Sequence, residues 1–220
     1  MTRSARVRVP ATSANLGPGY DSFGLALGRY DRSAATLAEG VRVSVTGVGA
    51  GQVPCDGRHL VVRSVRRAFD AAGVPFPGVD LTCENTIPHG GGQGSSAAAI
   101  VAGLLLGRAL LPDPAALSDD EVLALGTELE GHPDNVAPAL FGGFTLAWTS
   151  GSGRPRAVRR DVHPDVHAVI FSADQASSTE YTRSLLPPTV PHADAAANAA
   201  AAALLVGQST ASCAAAKAWS

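Results

Sequence analysis

Pro88-His-Gly-Gly-Gly-Gln-Gly-Ser-Ser96 is the stretch on which the fold turns. Just upstream, Val79 to Cys83 reads as a short strand, and Ser95 opens a helix through the apolar run Ala97 to Leu106. A strand, a glycine loop and a helix in that order bring unpaired backbone N–H groups and the positive end of a helix dipole to one spot, which suits a phosphate. Hydroxyls at Ser95 and Ser96 would add contacts to phosphate or to Mg2+. Taken alone, the four glycines read equally well as a flexible linker ahead of a capped core helix. No Lys follows the last glycine, so the pattern is not a Walker loop.

Outward from this unit, Val7 and Val9 alternate with Arg6 and Arg8, a half-buried strand expected to end at Pro10 and to lead into a loop from Thr12 to Tyr20. Val41, Val43 and Val45 mark a second strand. From Leu60 to Ala72, apolar residues at Val61, Val65, Ala68, Phe69 and Ala72 have the spacing of an amphipathic helix, closed by Gly73 and Pro75. Ser118 with Glu121 forms a capping box for a helix reaching about Glu130. Phe144 to Trp148 reads as a strand leading to the polar turn Ser150 to Gly153, and Val166 to Phe171 as the last strand. From Ala195 alanine dominates; such a segment is helical by propensity but has few large side chains with which to dock.

The 220 residues are 45% hydrophobic, enough for one large domain or two small ones. Basic (17) and acidic (19) residues nearly cancel, to a net charge of -2, without runs of one sign. That excludes an electrostatic footprint for nucleic acid or anionic membrane and favours a small neutral or zwitterionic ligand. Cys55, Cys83 and Cys213 lack the spacing of a zinc or redox pair, so a reduced, cytoplasmic setting is expected. Met1 to Pro10 lacks an apolar targeting core and Ala97 to Leu106 is too short to span a bilayer, so no targeting or membrane segment is expected.

Two further clusters could carry chemistry. Pro10-Ala-Thr-Ser-Ala-Asn-Leu-Gly-Pro-Gly-Tyr-Asp21 sets Asn15 and Asp21 on a Gly-Pro loop, where they could accept from an ammonium or a ribose hydroxyl, or simply form turns. Glu128-Leu-Glu-Gly-His-Pro-Asp-Asn135 gathers carboxylates, an imidazole and an amide at a helix end, a constellation that a solvated helix terminus would also produce.

Three stretches in this order, VRVPATSANLGPGYDSFGLAL from Val7, IPHGGGQGSSAAAIVAGL from Ile87 and EGHPDNVAPALFGG from Glu130, resemble the homoserine kinases of the GHMP small-molecule kinase superfamily. Ser178-Thr-Glu-Tyr-Thr-Arg-Ser-Leu-Leu-Pro187 is similar to this family as well, and the resemblance runs nearly continuously from Val7 to about Asn198. It implies an α+β GHMP kinase fold. Residues 1–150 would form a ribosomal-protein-S5-like ATP-binding domain, and residues 151–220 part of a ferredoxin-like C-terminal domain. It also implies transfer of the ATP γ-phosphoryl group to the hydroxyl of L-homoserine, giving O-phosphohomoserine for threonine synthesis. By the same resemblance Pro88, His89, Gly90, Gly91, Gly92, Gln93, Gly94, Ser95 and Ser96 form the ATP loop, and Ser96 and Glu130 hold Mg2+. Asn15, Asp21, Thr179 and Arg183 bind substrate, while Asn135 orients its hydroxyl and His132 assists a proton. Arg183 is chemically apt for an amino-acid carboxylate and Asp21 for its ammonium. The expected partners are homoserine and ATP, with neither nucleic acid nor membrane, and the resemblance leaves room for a homodimer.

The sequence departs from the family pattern at Gln93, where an apolar residue is usual, and at Ala201, where a basic one is. The family's last glycine-rich motif has no counterpart before Ser220, so an incomplete C-terminal domain is expected, with impaired alignment and stability. A GHMP kinase for another alcohol, such as mevalonate, and a silent remnant that at most binds nucleotide stay open as alternatives.

Overall fold

The computed structural model describes residues 3–171 and 185–210, the last three by backbone alone. Its strands are β1 Ser4–Ala14, β2 Phe23–Leu37, β3 Gly40–Gly47, β4 Gly78–Asn85, β5 Phe144–Thr149 and β6 Pro155–Arg160. Its helices are α1 Leu60–Ala71, α2 Ser95–Leu110, α3 Asp119–Glu130, α4 Val136–Phe141 and α5 His192–Thr210. The strands make one mixed sheet in the order β3-β4-β2-β5-β6, with β1 also paired to β2. β3 and β4 run parallel and are joined through α1; the other pairs are antiparallel.

The helical expectations rest on local chemistry, and the elements form where that chemistry puts them. α1 turns Val61, Val62, Val65, Ala68 and Phe69 into the core and ends as the chain reaches Gly73, at φ +67°. α3 begins on Ser118, whose hydroxyl accepts from the Glu121 N–H while the Glu121 carboxylate accepts from the Ser118 N–H, both halves of the capping box. α2 is buried around most of its circumference and forms the centre of the helical layer, against α1 on one side and β1 on another.

Two strand expectations change, and two strands are added. β1 does not stop at Pro10 but continues to Ala14, because among the described strands it pairs only with β2, and an edge position tolerates a residue with no N–H to donate. Its register with β2 shifts between Pro10 and Thr12, where Leu27, Gly28 and Arg29 of β2 stand opposite Ala11 alone. The central strand β2 and the outer strand β6 were not foreseen. Val166 to Phe171 forms no strand, and Val169 and Phe171 are 73% and 93% exposed. Among the described residues no strand pairs with this segment, and β-propensity without a partner ladder makes no strand. The alanine-rich stretch is helical, as α5, and most of its described side chains are exposed. Among the described residues no helix is long and apolar enough to cross a membrane.

Candidate active site

The glycine loop hangs between anchors on the two neighbouring strands. At its start the Asp31 carboxylate of β2 accepts from the N–H groups of Thr86 and Ile87, at 2.6 and 2.9 Å. At its end the Gln93 carbonyl accepts from the Thr12 N–H of β1 at 3.0 Å, and the Gln93 side-chain oxygen accepts from Arg29 Nη1 at 3.3 Å. Gly94 then caps α2 in the left-handed conformation, φ +64°, and brings no side chain to the cap. A Cβ there would stand 1.9 Å from Thr12 Oγ1 and 2.9 Å from Asn135 Oδ1, so only glycine fits. The first turn of α2 therefore points backbone donors at the loop without a side-chain cap to consume them.

Beside that turn, at the C-terminal end of α3, Ser96 Oγ donates to Glu130 Oε1 at 2.6 Å. Burial pushes the Glu130 carboxyl above the ordinary carboxylate range; the Ser96 hydroxyl and His132 pull it back, and Asp134 adds to the rise. Gly131, at φ +94°, ends α3 and turns the chain into His132-Pro-Asp-Asn135. There the Asp134 carboxylate, 1% exposed, takes a short contact from His132 Nδ1, the Asn135 N–H at 2.8 Å and Asn135 Nδ2 at 3.4 Å. Thr12 Oγ1 donates to Asn135 Oδ1 at 2.7 Å, so the Asn135 amide is held from both ends.

The loop after β1 forms the facing wall. Asn15, Leu16 and Asp21 sit at φ 67°, 46° and 57°, left-handed conformations that cost free energy in residues other than glycine. They are held by the Asn15 carbonyl accepting from the Gly19 N–H at 3.0 Å and by Asn15 Oδ1 accepting from the Asp21 N–H at 2.9 Å. Asn198 of α5 donates to the Pro18 carbonyl at 2.9 Å.

These pieces enclose a cleft of about 550 Å3. The structure brings Asn15, Gly90, Gly92, Gln93, Gly94, Ser95, Ser96, Glu130, His132 and Asn135 to its lining, together with Ala14, Tyr20, Asp134 and Leu186. Pro88, Gly91 and Asp21 do not line it, and His89 lines a second cleft instead. Thr179 and Arg183 lie outside the described residues. Sequence reasoning missed Thr12, Asp31 and Asp134; Asp134 had a signal, a carboxylate two residues from a candidate imidazole, whereas Thr12 and Asp31 act across the sheet.

The second cleft, about 280 Å3, opens on the other side of the first turn of α2, lined by Val53, Pro54, Leu60, His59, His89, Ser95 and Ser96 among others. His59 is buried and its Nδ1 accepts from the Val61 N–H at 3.3 Å; burial, then the neighbouring His89, lowers its pKa. Among the described residues no group of three His, Cys, Asp or Glu side chains could hold a metal ion by itself. Ser96 and Glu130 give two oxygen ligands, a set that suits a hard cation completed by phosphate and water.

Comparison with known proteins gives a consistent result. The family described as GHMP kinases N terminal domain matches residues 59–143. The chain is 50% identical over 206 residues to a homoserine kinase of Clavibacter michiganensis, covering 93% of this chain and 65% of that one. It is 51% identical over 205 residues to one of Streptomyces avermitilis, covering 92% and 67%. It thus spans about two thirds of the length of these relatives. Among solved structures, a putative homoserine kinase from Listeria monocytogenes superposes with a TM-score of 0.70 at 31% identity, over 93% of this chain and 67% of that one. The mevalonate kinase of L. major, at 15% identity over 76% of this chain and 58% of its own, with a TM-score of 0.55, shares the fold.

Proposed function

The chain belongs to the homoserine kinase family of GHMP kinases, and from that premise we propose that its main cleft takes the phosphates of ATP and the hydroxyl of L-homoserine, and that the protein of which it is the sequence transfers the γ-phosphoryl group between them. One observation carries the reading: the left-handed Gly94 delivers uncapped N–H groups of α2 into the same cleft that holds the Ser96–Glu130 pair, His132 and Asn135. Phosphoryl transfer through a loose transition state depends on positioning and charge stabilisation, which this arrangement is built to supply.

Each group then has a task. The α2 N-terminus and the glycine loop hold the phosphates. The second cleft, adjoining the same turn and partly apolar, takes the nucleoside. Ser96 and Glu130 would hold Mg2+, which when bound neutralises phosphate charge; the raised pKa of a half-buried carboxylate with one hydroxyl donor fits that cation. Asn135, fixed by Thr12 and Asp134, positions the acceptor hydroxyl. Asp134 occupies Nδ1 of His132, so any proton exchange with the substrate runs through Nε2. Asn15 and Tyr20 form the opposite wall; the family resemblance assigns Thr179 and Arg183 to the amino acid, with Arg183 on its carboxylate.

The test is calorimetric binding of Mg-ATP to the chain, with wild type compared to Ser96→Ala combined with Glu130→Ala, followed by 31P NMR of product with homoserine or mevalonate as acceptor. Binding that weakens in the double variant, with phosphate appearing on homoserine, is the expected result. Equal ATP affinity in the two proteins would overturn the assignment of the phosphate and cation site. Transfer to mevalonate alone would overturn the substrate.

A further inference from the structure

We infer that Gln93 is a positioning residue that ties the phosphate loop to β1 and β2 and, through Thr12, mechanically joins the nucleotide side of the cleft to Asn135. The inference rests on the nucleotide reading above and deepens it. It starts from a residue that breaks a pattern: Gln93 is polar where an apolar side chain is expected, yet it is only 6% exposed. Burying an amide is costly unless its atoms are bonded. Here the side-chain oxygen accepts from Arg29 Nη1 at 3.3 Å while the backbone carbonyl accepts from the Thr12 N–H at 3.0 Å.

The source of the Arg29 contact lies in the sheet. Arg29 is one of the three β2 residues that stand opposite Ala11, and such irregularities re-aim side chains that a regular ladder would point elsewhere. The next residue in the loop, Gly94, leaves no room for a Cβ beside Thr12 Oγ1, and that hydroxyl donates to Asn135 Oδ1 at 2.7 Å. A displacement of Gln93 therefore pushes on Thr12 at two points, its N–H and its hydroxyl, and reaches the amide that positions the acceptor. An apolar side chain at position 93 would fill the space but give Arg29 no acceptor, while the backbone bond with Thr12 would stay.

The experiment uses the full chain with Gln93→Leu, Arg29→Met, the two combined, and Gln93→Glu, which keeps an acceptor and adds charge toward Arg29. Hydrogen exchange over the segment Gly90 to Gly94 is followed without ligand. Calorimetry then measures Mg-ATP affinity, and homoserine affinity with and without a non-hydrolysable ATP analogue. Each single variant is expected to speed exchange in the loop and to weaken ATP by about two- to tenfold, the effect of one net hydrogen bond. The combined variant is expected to be no worse than Gln93→Leu alone, since that variant has already lost the bond that Arg29 makes, and Gln93→Glu to retain slow exchange. Any gain in homoserine affinity on adding the analogue is expected to shrink in both singles. Unchanged exchange and affinity in both singles, or losses that add in the combined variant, would overturn the tie. Should Gln93→Leu fail to fold, Arg29→Met, at an exposed position, carries the same expectation alone. A wild-type chain without ATP affinity would remove the nucleotide reading, and the exchange experiment would still decide whether the loop is tied.

Discussion

Replacing Gly94 with Ala meets two separate obstacles, and the structure allows them to be told apart. The first is conformational: at φ +64° a residue with a Cβ costs about 1–2 kcal/mol. The second is local: the new Cβ would lie 1.9 Å from Thr12 Oγ1, and Thr12 is fully buried, so its side chain must turn and give up the 2.7 Å bond to Asn135, a further loss of about 1 kcal/mol. Gly92 supplies the control, because it has nearly the same φ, +67°, and among the described residues no atom lies within 4 Å of where its Cβ would be. Gly92→Ala should therefore incur the first cost alone. At about 2–4 °C per kcal/mol for a chain of this size, Gly94→Ala should melt about 2–4 °C below Gly92→Ala, which itself should melt below wild type. Thermal unfolding followed by circular dichroism reads both, and calorimetry should show the larger loss of ATP affinity in Gly94→Ala. Equal melting temperatures for the two variants would refute the reasoning, since the close approach to Thr12 would then count for nothing.

Two other changes address the anchors and the half-buried carboxylate of Glu130. Asp31→Ala leaves the Thr86 and Ile87 N–H groups without their acceptor and should destabilise the chain by about 1–3 kcal/mol in urea unfolding, whereas Asp31→Asn, which keeps a side-chain oxygen, should recover most of it; an Asn variant no better than Ala would speak against the anchor. Glu130 has its folded pKa raised by burial, so its ionisation opposes folding: that cost is absent below the unfolded pKa of about 4.3, grows as pH rises toward the folded pKa, and stays constant above it. Glu130→Gln retains an oxygen for the Ser96 hydroxyl and should melt higher than wild type at pH 7 but not at pH 4, while binding Mg-ATP less well; a melting difference independent of pH would sink this account.

Helices were legible in the sequence where their ends carry explicit chemistry. Ser118 with Glu121 marks the start of α3 and Gly73 the end of α1, and α2 begins at Ser95, where the glycine run stops. The central strand β2 was not legible, because Gly24, Gly28, Asp31 and its alanines are poor strand formers and the strand is made by pairing with β1, β4 and β5. Val166 to Phe171 shows the converse, strand-forming residues without a ladder. At the site, Ser96, Glu130, His132 and Asn135 could be named from their motifs. Thr12 and Asp31 could not, since the bonds by which they hold Asn135 and the start of the glycine loop cross 123 and 55 residues of sequence.

The mismatch between β1 and β2 constrains how the chain can change in length. Ser4 to Pro10 pairs with Thr36 to Tyr30, and Thr12 to Ala14 with Ala26 to Gly24, so β2 uses three residues where β1 uses one, an excess of two. Side chains alternate across a sheet with a period of two, and an even excess leaves inward residues inward on both sides of the irregularity. Loss of both Leu27 and Gly28 would let the two strands zip evenly and preserve every face. Loss of either one alone would turn the buried Phe23 outward, or else force a new irregularity elsewhere. Insertions and deletions at this point should therefore be tolerated in pairs, so that this part of the fold is punctuated by parity and not by length.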